Sequence, residues 1–257
     1  MEQFSSAIGA AKIRRASRFV QPDGRTLLAA LDMQSFSGRG PDLDAATRIA
    51  EGGPDGILTT WQVARRYPEA FAKTGMILRL DGGHTALGAN GEGDAFSLLY
   101  RAELGATVGA DAVAVMAFPG ADDEVASLRR LAAVVSEAEK IGMPVIAESI
   151  PGSWSRDVPW DAEHIMRAAR VCVEIGADLI KTPAPPDLAD FPDVVAGVEA
   201  PVLVLGGPKR DTEDEAVDYA AAAVVAGASG VVFGRNIWGA DDPTDMVRRL
   251  REAVHGR

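Results

Sequence analysis

Residues 161–182 read DAEHIMRAARVCVEIGADLIKT and contain one complete unit of a helix followed by a strand. The first part is amphipathic, with a helix start indicated at Asp161 and a helix end at Gly176. The apolar run that begins at Asp178 is long enough for a buried strand and too short for a core helix. This stretch is therefore typical of a parallel α/β protein.

The same unit recurs along the whole chain. Short apolar runs begin near Thr26, Gly56, Met76, Ala112, Pro144, Asp178, Pro201 and Gly230. Amphipathic segments lie at 45–51, 63–71, 96–109, 122–141, 161–175, 188–198, 212–226 and 243–254. Eight strand–helix pairs, roughly thirty residues apart, predict an α/β fold of the (β/α)8 TIM-barrel type. A doubly wound open sheet uses the same units, but no dinucleotide fingerprint follows the first strand.

Length and charge narrow the possibilities further. The 257 residues match one barrel of about 250 residues, so we predict a single domain over 1–257, with 1–24 as an N-terminal helix capping the barrel. An organelle presequence is the alternative for these first residues. The net charge of -11 argues against a nucleic-acid partner. The longest low-charge stretch, 219–233, is shorter than a membrane span, and we predict a cytoplasmic protein without membrane partners.

Few residues are available for metal or disulfide chemistry. The chain has one cysteine, Cys172, and three histidines, His84, His164 and His255. One cysteine excludes an intramolecular disulfide framework, and so few histidines leave little material for a zinc centre. We therefore expect a protein that uses no metal and no cofactor.

Charged residues and glycines stand where the predicted strands end. In a TIM barrel the active site lies at the carboxyl ends of the strands. In chain order these ends carry Asp32, Thr60, Arg79 with Asp81, Met116, Glu148, Lys181, Gly206 with Gly207, and Gly234 with Arg235. A packed interior has no need of charged residues at these positions, whereas a catalytic mouth does.

Lys181 is the predicted nucleophile. Strand alternation places it on the same side of its strand as Leu179, so if Leu179 fills the barrel, Lys181 points into its mouth. An ammonium group there is strongly disfavoured unless it is paired or neutral. A neutral amine attacks a ketone and forms an imine. The alternative is a lysine on a surface loop.

Two carboxylates accompany this lysine. Glu148 ends the fifth predicted strand and Asp32 ends the first. Together with an imine, one carboxylate can serve carbinolamine dehydration while the other takes the hydroxyl proton when the C–C bond breaks. The alternative is that both are helix N-caps or ion-pair partners of Arg79. Arg79 is expected either to favour the neutral form of the lysine or to hold an anionic group of the substrate.

Glycine turns follow the last two predicted strands, at Gly206-Gly207 and Gly234-Arg235. Barrel enzymes commonly bind phosphate at this place, because glycines let backbone N–H groups approach the anion. Arg235 offers a bidentate partner for it. The pattern predicts a phosphate site, and a simple tight turn is the alternative for a Gly-Gly pair.

Other residues near the strand ends carry weaker signals. The run Gly88–Gly93, after the third strand, is interpreted as a flexible loop, with a lid as the alternative. His84 is interpreted as a solvated residue, with a substrate contact as the alternative. Trp154 is expected either to line the site or to pack within its loop. Cys172 is interpreted as a small core residue.

Three motifs resemble the DeoC/LacD class I aldolase family. They are ADLIKT at 177–182, GGPK at 206–209 and GASGVVFGRNIW at 227–238. The resemblance runs from about Arg25 to the C-terminus and is greatest to the branch with archaeal-type fructose-bisphosphate aldolase. It implies a barrel, a homo-oligomer and an imine-forming lysine on the sixth strand, here Lys181. It also implies phosphate contacts from the last two loops, here Gly206, Gly207, Gly234 and Arg235.

The sequence departs from the archaeal pattern at two places. Asp32-Met33-Gln34 stands where those aldolases have Asp-His-Gly, and Glu148-Ser149-Ile150-Pro151 where they have an aromatic residue, serine, tyrosine and proline. Both features are similar to the tagatose-bisphosphate and sulfofructose-phosphate aldolases. By this resemblance Glu148 takes over proton transfer, Gln34 joins the substrate contacts, and a ketose phosphate other than fructose bisphosphate is favoured.

These observations predict a metal-independent aldolase that cleaves a phosphorylated ketose through a Schiff base. Lys181 is its nucleophile, Glu148 its general acid and base, and Asp32 orients or deprotonates a substrate hydroxyl. A transaldolase- or aminodeoxyheptulosonate-synthase-like condensation with the same lysine is the first alternative. A non-catalytic barrel that binds a sugar phosphate is the second, and a phosphate-binding isomerase with an electrostatic lysine is the third.

Overall fold

A computed structural model describes residues 9–32, 40–41, 44–85, 87, 96–154 and 158–256. Its strands are β1 (Thr26–Leu31), β2 (Gly56–Thr59), β3 (Gly75–Arg79), β4 (Asp81–Gly82), β5 (Ser97–Leu98), β6 (Ala112–Ala117), β7 (Val145–Ser149), β8 (Leu179–Thr182), β9 (Val202–Leu205) and β10 (Gly230–Phe233). Its α-helices are α1 (Ala10–Ala16), α2 (Ala45–Glu51), α3 (Trp61–Arg66), α4 (Ala102–Thr107), α5 (Glu124–Lys140), α6 (Ala162–Ile175), α7 (Phe191–Gly197), α8 (Glu213–Val225), α9 (Arg235–Trp238) and α10 (Pro243–His255). Two 3-10 helices lie at Pro68–Phe71 and Leu188–Asp190.

Eight of these strands form one closed parallel barrel, in the order β1-β10-β9-β8-β7-β6-β3-β2. β1 pairs with both β2 and β10, and this double pairing closes the sheet. The predicted TIM barrel is confirmed and the open-sheet alternative is wrong. All eight barrel strands begin within a residue of their predicted starts.

Alternation along the strands fills the barrel with apolar side chains. The interior cluster includes Leu28, Leu58, Ile77, Ala114, Ile146, Leu179, Leu203 and Val232. Phe19 and Val20, which follow α1, belong to the same cluster, and Thr26 Oγ1 donates to Phe19 O over 2.5 Å. The segment after α1 therefore packs into the amino-terminal end of the barrel, which leaves the carboxyl end for the site.

Helix α6 begins and ends at the residues predicted from the sequence, and α8 begins with a similar cap. The Asp161 side chain accepts from His164 N at the start of α6, and Thr212 accepts from Glu215 N at the start of α8. Gly176 ends α6 with φ +114°, a left-handed conformation that L side chains rarely adopt. No helix in the described ranges is both long enough and apolar enough to cross a membrane.

The prediction of one helix over 96–109 was wrong. Ser97–Leu98 instead pairs with Asp81–Gly82 as an antiparallel two-stranded sheet, and the helix α4 occupies only Ala102–Thr107. Leu80 O accepts from the amides of both Leu99 and Tyr100. These long-range bonds satisfy the backbone outside a helix, and helical periodicity alone could not reveal them. The predicted helix over 63–71 is likewise split, because Pro68 begins a separate 3-10 turn.

Candidate active site

The carboxyl end of the barrel brings four of the predicted charged residues together. Arg79 is the last residue of β3, Glu148 lies in β7, Lys181 in β8, and Asp32 directly follows β1. Their exposed fractions are 3, 5, 6 and 7%, respectively. Strand register places Glu148 beside Lys181, and Leu179 on the same side of β8 belongs to the interior cluster. Lys181 therefore points into the barrel mouth, and the surface-loop alternative is wrong.

Lys181 and Glu148 form a direct ion pair. Lys181 Nζ lies 2.6 Å from Glu148 Oε1, and both side chains are buried. Burial acts to raise the pKa of Glu148, but the charges of Lys181 and Arg79 outweigh it and lower that pKa to about 2. At neutral pH Glu148 is therefore a carboxylate that accepts hydrogen bonds.

Arg79 is the centre of the cluster. Its Nε and Nη2 lie 2.8 and 2.6 Å from Asp32 Oδ2, and its Nη1 lies 3.4 Å from Asp81 Oδ1. Nη2 also donates to Glu148 Oε2. Burial acts to lower the pKa of Arg79, but the charges of Asp32, Glu148 and Asp81 outweigh it and raise that pKa. The guanidinium group thus holds three carboxylates from three strand ends.

Asp32 and Glu148 are thus both ion-pair partners of Arg79, which was the alternative to a catalytic role. This arrangement is compatible with a chemical role, because Glu148 keeps its second oxygen on Lys181. Asp32 is linked to the lysine only through Arg79 and Glu148 in the bonds seen here. Asp81 is anchored separately, since its Oδ2 accepts from Met116 N over 2.7 Å.

An apolar cluster lies beside these charges. Met116, in register with Glu148, packs with Phe118 and Ile150, and all three side chains are buried. Leu205, at the end of β9, packs against them and is partly exposed. Such surroundings lower the effective dielectric constant, which strengthens the attraction within the ion pairs.

The loops after β9 and β10 lie side by side at the same end of the barrel. Gly206 N donates to Val232 O over 3.1 Å, and a Cβ on Gly206 would lie 2.8 Å from the Phe233 ring. Gly207 has φ +67° and open space where a Cβ would be. Gly206 is therefore required for packing, whereas the Gly207 backbone is open to a ligand.

Arg235 completes this pair of loops. Gly234 is the N-cap of the four-residue helix α9, and Arg235 is its first residue. The Arg235 side chain is exposed and makes no ion pair with any residue in the described ranges. An unpaired guanidinium beside a glycine turn is suited to binding an anion.

A model of DeoC/LacD family aldolases matches residues 33–240 of the chain. The chain belongs to the DeoC/LacD aldolase family. This DeoC/LacD aldolase is 31% identical over 188 residues to a 2-amino-4,5-dihydroxy-6-oxo-7-(phosphonooxy)heptanoate synthase from Streptomyces griseus, covering 73% of this chain and 68% of the relative. It is 29% identical over 260 residues to an uncharacterized aldolase from Saccharolobus solfataricus, covering 95 and 94% of the two chains.

Solved structures of archaeal fructose-1,6-bisphosphate aldolases are similar throughout. One has a TM-score of 0.83 and 27% identity, covering 96% of this DeoC/LacD aldolase and 100% of that chain. Another has a TM-score of 0.83 and 26% identity, covering 95 and 99%, with its catalytic lysine covalently bound to the carbinolamine intermediate of the substrate. The predicted resemblance is confirmed, and the chain is a Schiff-base (class I) aldolase. Family membership weighs against the non-catalytic alternative.

Among the described residues, His84, Trp154 and Cys172 make no hydrogen bond or ion pair with the charged cluster. His84 is exposed, and Trp154 packs edge-on against Trp160 with 6.0 Å between ring centroids. Burial raises the pKa of Cys172 to about 12, so its thiol stays protonated, in agreement with a core role. Gln34 and the run 88–93 lie outside the described residues. Within the described part of the chain, no group of His, Cys, Asp and Glu is arranged to hold a metal ion.

Two residues of the site were not assigned by sequence reasoning. Asp81 was noted only as a strand end, and its pairing with Arg79 follows from the chain continuing past β3. Asn236 directly follows Arg235, and its side chain links the two loops. Only its position within the 227–238 motif could have drawn attention to it.

Proposed function

We propose that this aldolase reversibly cleaves a phosphorylated ketose into a dihydroxyacetone-phosphate-like half and an aldehyde, with Lys181 as Schiff-base residue. The observation that carries the proposal is the buried Lys181–Glu148 pair, with 2.6 Å between Nζ and Oε1 at the carboxyl ends of β7 and β8. A structural relative holds its substrate as a carbinolamine on its lysine, which supports the same chemistry for this chain.

Imine formation begins with loss of a proton from Lys181. Glu148 Oε1 is within hydrogen-bond distance of Nζ and is the proposed acceptor as the ketone arrives. The free amine attacks the carbonyl carbon and gives a carbinolamine. The proton on Glu148 then leaves with the carbinolamine hydroxyl as water, and the protonated imine remains.

The charge of Lys181 sets the timing of this proton transfer. In the resting enzyme that charge is one of the two that lower the pKa of Glu148. In the carbinolamine the nitrogen is neutral, so one of these two charges disappears and the pKa of Glu148 rises. Glu148 therefore becomes a better proton carrier at the step that requires a proton.

Cleavage of the C–C bond needs a base for the substrate hydroxyl. Asp32 is proposed to orient or deprotonate that hydroxyl, and the bond electrons pass into the imine to form an enamine. Protonation of the enamine carbon and addition of water then release the ketone half and restore Lys181. Arg79 is proposed to hold both carboxylates in place, and Gln34 remains proposed as a substrate contact.

The phosphate group is proposed to bind to the loops after β9 and β10. Both cations of the charged cluster, Arg79 and Lys181, are already paired with carboxylates, so the cluster offers no free cation to a phosphate. Arg235 is exposed and Gly207 is open, which supports contacts from Gly207 and Arg235, while Gly206 and Gly234 shape the two turns that present them. With its phosphate on these loops and its ketone at Lys181, the substrate would lie between the loops and the charged cluster.

Three broader predictions stay proposals. A single catalytic domain over 1–257 is supported by a family match that spans most of the chain. Assembly as a homo-oligomer rests on analogy with the family. A cytoplasmic location is supported by the solitary cysteine, whose buried thiol suits a reducing compartment.

Borohydride inactivation tests the proposed function. Incubation with borohydride and dihydroxyacetone phosphate should cause irreversible loss of activity, since reduction converts the imine to a stable amine. Borohydride without ligand should cause no loss of activity. Inorganic phosphate should slow the inactivation by competing for the loops after β9 and β10. Full activity after treatment with a panel of phosphorylated ketoses would reject the proposal.

A condensing enzyme is the second candidate, and the Streptomyces griseus synthase favours it. It would use the same lysine but require an acceptor aldehyde. Incubation of the enzyme with a ketose phosphate alone would then release no aldehyde, and a new C–C bond would form only after an aldehyde is added. Release of an aldehyde from the ketose phosphate alone decides for the aldolase.

A further inference from the structure

Asn236 lies between the two loops to which the phosphate is proposed to bind. It is the second residue of α9, and its side chain is 4% exposed. Asn236 Nδ2 donates to Gly206 O and to Pro208 O, both over 3.2 Å. Asn236 Oδ1 accepts from Arg210 N over 2.9 Å. One side chain from the β10–α9 junction thus bonds to three points of the loop after β9.

An asparagine suits this position because its planar amide provides two donors and an acceptor. An aspartate would keep the acceptor for Arg210 N but would face the carbonyls of Gly206 and Pro208 without a donor. An alanine would leave all three backbone groups without these partners. The contacts therefore specify the side chain by chemistry as well as by size.

The three bonds surround Gly207, the residue most open to a ligand in this loop. Gly206 N is engaged by Val232 O, so it is not free for an anion. The amide of Gly207 makes no backbone hydrogen bond to any described residue. A second hydrogen bond also joins the loop after β9 to the region of α9, since Lys209 Nζ donates to Gly239 O, just beyond α9.

We infer that Asn236 is a positioning residue for phosphate binding. It fixes the Gly207 amide relative to Arg235, its own neighbour in sequence, and so joins the two halves of the anion site. The inference rests on the proposed function and adds a residue that touches neither the imine nor the phosphate. A donor held in place before the ligand arrives loses less freedom on binding, which increases affinity.

The test compares two ketones in borohydride trapping. Dihydroxyacetone phosphate carries the phosphate, while dihydroxyacetone carries only the ketone that meets Lys181. Asn236→Asp and Asn236→Ala should each raise the half-saturating concentration of dihydroxyacetone phosphate by about tenfold or more. Trapping of dihydroxyacetone should stay within about twofold of wild type, because the lysine and its carboxylate are unchanged.

Thr26→Val is the matched control, because it removes a buried hydrogen bond at the opposite end of the barrel. It should change neither ketone's trapping. Equal losses for both ketones, or no loss for either, in the Asn236 variants would overturn the inference. If Asn236→Ala does not fold, the uncharged Asn236→Ser decides by the same comparison, because its shorter side chain cannot bond all three backbone groups. Trapping of neither ketone by wild type would instead reject the proposed function, and the inference with it.

Discussion

Two buried lysines lie at opposite ends of the strand β8. Lys181 is near its carboxyl end and pairs with Glu148 over 2.6 Å. Lys12, in α1, pairs over 3.0 Å with Asp178, the residue that precedes β8, and over 2.7 Å with Glu139. Each lysine is 6% exposed, so burial and charge alone do not distinguish them.

The two ion pairs differ in what else their carboxylates contact. Asp178 also accepts from Val145 N over 2.8 Å, so the Lys12 pair fastens α1 to the backbone at the start of β7. Glu148 is shared with Arg79, and neither Lys181 nor Glu148 bonds a backbone group through its side chain in the described residues. A buried pair that secures backbone has a structural role, whereas one that secures none is available for chemistry.

Replacing each lysine by methionine gives the largest expected contrast. Lys181→Met should lower kcat/KM for the phosphorylated ketose by about 10⁴-fold or more, because it removes the amine proposed to form the imine. Lys12→Met should leave kcat/KM within about twofold of wild type. Steady-state kinetics of both purified variants measure the contrast. Similar losses of kcat/KM in the two variants would contradict the different roles of the two lysines.

Glu148→Gln separates the ion pair from the proton transfer. The amide can still accept from Lys181, but it cannot carry a proton, so kcat should fall by about 10²–10⁴-fold. Asp178→Asn, the corresponding change at the other lysine, should leave kcat near wild type. Rapid-mixing measurements of imine formation should locate the Glu148→Gln loss before cleavage. An unchanged kcat in Glu148→Gln would remove it from the mechanism.

The free energy of unfolding should fall more in Lys12→Met than in Lys181→Met, the opposite of the order expected for activity. Lys12→Met leaves Asp178 buried with only one neutral donor, and we expect a loss of about 1–3 kcal/mol in the free energy of unfolding. Lys181→Met should cost less, because Glu148 keeps its charged bond to Arg79. Urea denaturation of both variants gives the two values. A larger loss for Lys181→Met would contradict the division between a structural and a chemical lysine.

The smallest predicted effect concerns pH at the amino-terminal end. His255 Nε2 lies 2.8 Å from Asp55 Oδ2 and Nδ1 lies 2.7 Å from Asp23 Oδ2; the hydrogen bond to Asp55 is the main cause that raises the pKa of His255. Because the folded pKa is the higher one, this stabilisation is fully present below about pH 6.5 and is lost as pH rises through the folded value.

His255→Asn should therefore reduce the free energy of unfolding by about 1 kcal/mol at pH 6 and by less at pH 9. Denaturation curves at the two pH values measure this difference. Activity at pH 7 should remain near that of wild type, since His255 lies far from the mouth in the fold. A loss that grows with pH would show that the sign of the linkage is wrong.

The barrel and the inward position of Lys181 could be predicted because both depend on local pattern. Strand alternation places Lys181 beside Leu179 in the same interior line, and only the sequence is needed for that inference. The sequence offered Arg79 as an ion-pair partner of Asp32 and Glu148 only as an alternative, because the choice depends on which strands face each other across a closed sheet. The pairing of Ser97–Leu98 with Asp81–Gly82 was missed because it is a long-range contact in a separate two-stranded sheet.

The loops after β9 and β10 show a similar limit to prediction from sequence. Glycines at 206 and 207 predicted a turn suited to phosphate, but the sequence could not distinguish their roles. Gly206 packs against the Phe233 ring, while Gly207 has the left-handed backbone and the open side. That difference depends on the distance between two loops, and so does the link through Asn236.

Peptide mapping after borohydride reduction tests whether Lys181 forms the Schiff base. Wild-type enzyme is reduced in the presence of dihydroxyacetone phosphate, digested, and analysed by mass spectrometry for a lysine bearing the reduced ketone. We predict one adduct, on the peptide containing Lys181, and none on the peptide containing Lys12. An adduct on another lysine, or active enzyme without any adduct, would contradict it.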